Sequence, residues 1–109
     1  MLFISAEEFF AHADKMPRIT REEERRIAQE MPQNAMAREQ LISSYLPMVA
    51  AYIRRLPSKL HTLRTVYVCL DSLEKGVDSF NFLQDSERFS HHLSWRLRQC
   101  ITRCLVDRT

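Results

Sequence analysis

Apolar residues recur along this chain at steps of three and four, the spacing that lines one face of an α-helix. Ser5-Ala6-Glu7-Glu8 is a capping-box pattern, with Ile4 and Phe9 placed as a hydrophobic staple; it predicts a short helix carrying Phe9 and Phe10 and broken at Met16-Pro17. Thr20-Arg21-Glu22-Glu23 repeats the box. Glu22, Glu23 and Glu24 suit the positive end of a helix dipole, and Ile27 and Met31 continue the apolar side to Pro32. Met36, Leu41, Ile42, Tyr45, Leu46, Val49, Ile53 and Leu56 then predict a long helix over about 33–56. Pro47 lies inside this stripe, which resumes in phase beyond it, so a kink is expected rather than a break. Pro57-Ser58 closes the helix, and residues 59–62 read as loop.

Leu63, Val66, Tyr67, Leu70, Leu73, Val77 and Phe80 carry the next stripe, over about 63–80. "VYVCL" alone resembles a strand, but a strand without a partner is not a stable element, and helix is the better reading. A polar loop over 81–88 follows. Ser90 is placed to cap a last helix over about 90–106, with Phe89, Leu93, Leu97, Cys100, Ile101, Cys104 and Leu105 as its apolar side. The pattern predicts one all-α domain over 1–109, a bundle of about five helices. One glycine and four prolines leave few turn-makers for a β fold, and 45% hydrophobic with 28% charged residues belongs to a globular chain.

Charge changes the picture through its distribution. The net charge is +2, yet residues 71–87 hold Asp71, Glu74, Asp78, Asp85 and Glu87 against Lys75. Residues 88–109 hold Arg88, Arg96, Arg98, Arg103 and Arg108 against Asp107, and Arg54, Arg55, Lys59 and Arg64 stand upstream without an acid. Two basic stretches flank an acidic one, a pattern shared by polyanion-binding surfaces and by solvated helices. No run approaches the ~20 apolar residues of a membrane span, and no charged-then-apolar leader opens the chain, so a cytoplasmic protein is expected.

Three cysteines, Cys69, Cys100 and Cys104, make an odd count that fits no disulfide framework in such a compartment. His91, His92, Cys100 and Cys104 raise the possibility of zinc. His92 and Cys100 stand ~12 Å apart along a helix, too far for one ion, so buried small cysteines are the better reading and no metal or cofactor is expected. Paired carboxylates, a nucleophile–base pair and a glycine-rich phosphate loop are all missing at usable spacing, and the chain is not read as an enzyme.

The polar side of the last helix carries Trp95, Arg98, Gln99, Thr102 and Arg103. Gln99 and Thr102 are neighbours at three residues, and the set has the donors and acceptors that base edges and phosphates require. Trp95 has a face on which an unpaired base can stack. On chemistry alone, a solvated face with one half-buried tryptophan explains these residues better.

The order of residues adds more. "FSHHLSWRLRQCITRCL" resembles F-S-x-Y-A-x-W-W-I-R-Q-A-I-x-R-A-I, a pattern of region 2 of bacterial housekeeping-type RNA polymerase sigma factors. "SLEKGVDSF" is similar to that family's G-L-x-K-A-V-D-K-F, and "ITREEERRIAQEMPQNAMAREQLISSYLPMVAAYIRRL" to its regions 1.2 and 2.1. The resemblance implies an all-α domain without chemistry that binds the clamp of core RNA polymerase and the minus-ten promoter element, capturing flipped bases of melted DNA. It places Gln99 and Thr102 at the duplex edge of the element, Trp95 at the melting edge and Arg98 and Arg103 on phosphates. His92, Arg96 and Arg88 complete the DNA-facing set. Two of these depart from the pattern: His92 replaces a tyrosine and Arg96 the second tryptophan, while "LQDSE" stands where the family has a basic loop. The polymerase-contacting stretch aligns with "RTVYVCLDSL", which puts Arg64, Tyr67, Val68, Asp71 and Glu74 at a partner surface whose Arg64, Tyr67 and Val68 replace Asp, Gln and Glu. The alternative implied by these changes is a sigma-like protein–protein module that has lost promoter melting and meets another partner through an exposed apolar patch around Tyr67.

Overall fold

The computed structural model describes residues 2–84 and 86–107, with side chains through Arg103. Asp85, Arg108 and the side chains of Cys104, Leu105 and Asp107 lie outside the described residues. The chain is all-α: α1 (Ala6–Asp14), α2 (Arg21–Glu30), α3 (Ala35–Ser44), α4 (Leu46–Arg54), α5 (Leu63–Ser79) and α6 (Phe89–Asp107), with a 3₁₀ turn at Ser58–Leu60. "VYVCL" is helical, within α5.

The caps follow the sequence. Ser5 accepts the Glu8 N–H, both arms of the Thr20–Glu23 box form at 3.0 and 3.1 Å, and Asn34 and Thr62 cap α3 and α5. Two terminal expectations are corrected. Ile4 is 86% exposed, so it makes no staple. Phe3 packs edge-to-face on Phe9 instead, because the Tyr67 hydroxyl accepts the Phe3 N–H at 2.8 Å and donates to its carbonyl, which turns the ring inward. Ser90 caps nothing. The helix begins one residue earlier, with the Arg88 carbonyl accepting the N–H groups of His91 and His92.

The stripe over 33–56 is interrupted at one residue, so five helical rods comprise six helices among the described residues. Tyr45 (φ −100°, ψ −1°) ends α3 and starts α4. Pro47 has no N–H for the Ser43 carbonyl and its ring crowds that carbonyl, so the ladder stops there. The Tyr45 hydroxyl donates to Glu24, a buried carboxylate of α2, which ties the junction to its neighbour. Burial, then this carboxylate, push the Tyr45 phenol far above its ordinary value.

Helices α5 and α6 run antiparallel and form the most extensive pairing in the bundle. Leu73, Val77, Phe89, Leu93 and Leu97 are fully buried between them and the α3–α4 layer. Gly76 permits the close approach: a Cβ there would lie 3.2 Å from Arg96 Cδ and 3.4 Å from the Phe89 ring. The 81–88 loop is less polar inside than its composition indicates. Phe82 is buried, and its ring packs on Phe80 and Phe89. No helix among the described residues is long and apolar enough to cross a membrane.

Candidate functional site: a cationic groove between α5 and α6

The outer edges of α5 and α6 diverge around an open groove of about 650 Å³. Its α5 wall carries Arg64, Tyr67, Val68, Asp71, Ser72 and Lys75; its α6 wall carries Trp95, Arg96, Gln99, Cys100 and Arg103. Helical spacing explains both walls. Trp95, Gln99 and Arg103 recur every four residues, so they stack along one face of α6. Arg64, Val68 and Asp71, at steps of four and three, share one face of α5.

Two residue sets that the resemblance keeps apart therefore share one cavity. Trp95, Arg96, Gln99 and Arg103 come from the DNA-facing set, while Arg64, Tyr67, Val68 and Asp71 come from the partner-facing set. Glu74 falls outside the groove. Its carboxylate lies 3.7 Å from Arg38 on the far side of α5. Tyr67 and Val68 are half-buried and Cys69 is buried, so the expected apolar patch is narrow and its tyrosine hydroxyl is engaged by Phe3.

The remaining DNA-facing residues scatter. Thr102 and Arg98 are exposed but do not line the groove; the Thr102 hydroxyl donates to the Arg98 carbonyl at 2.8 Å, and the Arg98 charge faces Tyr52 of α4. Arg88 stands at the start of α6 beside Arg18, Tyr45 and Met48, on a different depression. His92 is half-buried against Phe80 and Phe89, with its ring stacked 6.4 Å from Trp95. Its Nε2 is buried without a hydrogen-bond partner among the described residues. His92 thus supports Trp95 from beneath and offers little face of its own. Arg96 lies across α5 with its stem over Gly76 and its Nε donating to the Ser72 carbonyl at 3.3 Å, so its charge sits on the groove floor.

The electrostatics of the groove are uneven. Lys75 is paired with Asp71 at 2.9 Å. Among the described residues, no carboxylate pairs with Arg64 or Arg103, both exposed. Trp95 is 52% exposed, an unusual setting for an indole. Cationic rims beside a partly exposed ring can take an anionic, planar ligand: phosphate on the guanidinium groups, a base on the indole.

Sequence reasoning missed the thiol on the floor. Cys100 donates to the Leu97 carbonyl at 3.2 Å. The Cys69 side chain across the helix pair outweighs burial, Ser72 adds to it, and together they lower its pKa to about 7. Thirty-one positions separate the two cysteines, so only the α5–α6 register could have paired them. Among the described residues, no group of three His, Cys, Asp or Glu side chains gathers as a metal site. No protein-family model matches the chain, and no curated protein or solved structure matches it.

Proposed function

We propose that this chain is a divergent sigma-like domain of transcription initiation, which binds core RNA polymerase and the minus-ten promoter element and carries out no chemistry of its own. The observation that supports this most is the line of Trp95, Gln99 and Arg103 along one wall of an open cationic groove. A strand lying in it would stack a base on Trp95, worth about 1–3 kcal/mol, with Arg103 and Arg64 on the phosphates and the Gln99 amide on a base edge. A concave wall suits an unstacked strand better than the edge of a duplex. The resemblance in residue order points to the non-template strand of the minus-ten element as that ligand.

A second reading rests on the other wall. Arg64, Tyr67 and Val68 open into the same groove, so a protein segment could occupy it and exclude DNA. Binding of a labelled minus-ten strand, titrated at several salt concentrations, separates the two. A strand reader loses affinity steeply with salt, and Gln99→Ala erases its base preference. A protein-binding module shows weak binding indifferent to Gln99, and core polymerase then competes with nothing.

A further inference from the structure

Cys69 of α5 and Cys100 of α6 are both thiols, each about one turn along its helix from the Arg96–Ser72 contact, and the Cys69 side chain lowers the Cys100 pKa. Their exposures differ in a useful way: Cys69 is fully buried, while Cys100 is half-buried and lines the groove. One sulfur can therefore be reached by a small solute, and its partner can be reached only by the first. Ser72 of α5 lines the same groove beside Cys100, and the phenol of Tyr52 on α4 is pushed up by burial and then by the charge of the two cysteines. An accessible thiol beside a buried second one is the arrangement in which oxidation to a sulfenic acid is captured as a disulfide.

We propose that Cys100 is a hydroperoxide-reactive modification site whose oxidised form is resolved by Cys69 into a disulfide across the groove floor. In the first step the Cys100 thiolate attacks the terminal oxygen of a hydroperoxide. An S–O bond forms, the O–O bond breaks, and the leaving oxygen takes a proton to become water or an alcohol. In the second step the Cys69 sulfur attacks the Cys100 sulfenic sulfur, the S–O bond breaks, and the hydroxide takes the Cys69 proton as water. Two thiols and one hydroperoxide become one disulfide; sulfur is oxidised and the peroxide oxygens are reduced. The lowered Cys100 pKa supplies thiolate near neutrality, which sets the first rate.

The product has a structural consequence. The sulfurs must close to about 2.05 Å, at a groove-lining residue next to Gln99 in the sequence. Oxidation thus reshapes the wall that carries Trp95 and Gln99. This proposal does not depend on what the groove binds.

The test uses the full chain carrying Cys104→Ser, reduced and then treated with one equivalent of hydrogen peroxide. Intact mass, peptide mapping and Trp95 fluorescence are read together. The expected result is loss of two hydrogens, a peptide joining Cys69 to Cys100, and an altered Trp95 emission that dithiothreitol reverses. Cys69→Ala should stop at one added oxygen on Cys100, captured by dimedone, and Cys100→Ser should leave Cys69 unmodified. Two results overturn the proposal: both thiols surviving peroxide, or Cys100 oxidising without ever joining Cys69. The mapping of the parent chain decides this even if a Cys69 variant fails to fold.

Discussion

Two sets of arginines divide the molecule. Arg38 and Arg54 are locked to carboxylates brought from distant positions: Arg54 grips Asp14 at 2.8 and 2.9 Å, and Arg38 grips Asp78 at 2.6 and 2.9 Å with Glu39 and Glu74 nearby. Arg54 also covers the Phe10 ring at 4.7 Å. Arg64 and Arg103, by contrast, project from the two walls of the α5–α6 groove with no carboxylate paired to them among the described residues, the nearby Asp71 being held by Lys75. The first set joins α1 to α4 and α3 to α5; the second leaves positive charge at a cavity that also holds an exposed indole. Formal charge along the sequence does not separate these sets, because Arg54 and Arg64 lie in the same basic stretch. One set holds the bundle together, and the other stands at the mouth of an open groove.

The largest expected effect lies beneath the groove. Phe89 is fully buried and touches Tyr45, Phe80, Phe82 and His92, so Phe89→Ala should cost about 3–5 kcal/mol in urea denaturation. Reversing Arg64 and Arg103 together to glutamate should leave stability within about 0.5 kcal/mol. It should flatten the slope of log affinity against log salt for a single strand by roughly 0.7 per lost phosphate contact. Arg38→Ala and Arg54→Ala should leave that slope unchanged, which is the sharpest contrast between the sets. Gln99→Ala should cost about 1–3 kcal/mol of discrimination between the matched strand and a scrambled one.

The smallest effect concerns pH. Hydrogen bonds from Arg54 and Arg38 lower the pKa values of Asp14 and Asp78. Their contribution is present above the unfolded value near 3.8 and is lost as pH falls through the lower folded value. Both carboxylates are exposed, so Asp14→Asn and Asp78→Asn should each shift the acid unfolding midpoint only slightly, and Arg103→Glu not at all.

Helical periodicity made most of the fold legible. The Ser5 N-cap, which forms without the returning Glu8 arm, the Thr20 capping box and the stripe over 63–80 need only local information. The failures involve long-range partners. Phe3 replaces Ile4 in the first staple because Tyr67, distant in sequence, holds its backbone. Phe82 is drawn from a polar loop by the Phe80–Phe89 cluster. The site was legible in parts: Trp95, Gln99 and Arg103 share a face by spacing alone, as do Arg64 and Val68. That the two faces meet depends on the antiparallel register of α5 and α6, set in part by the room that Gly76 leaves. The same register turns His92 inward, lays Arg96 over α5, and pairs Cys69 with Cys100, none of which spacing encodes.

The measurement that bears most directly on the groove is Trp95 fluorescence during titration with a single-stranded minus-ten oligonucleotide, for the parent chain and the Arg64→Glu, Arg103→Glu variant. Trp95 is the only tryptophan, so its emission reports on this cavity. The account predicts quenching that saturates, weakens steeply with salt and largely disappears in the variant. Quenching of equal affinity in both proteins, or none in either, would contradict the assignment of the groove to a nucleic-acid strand.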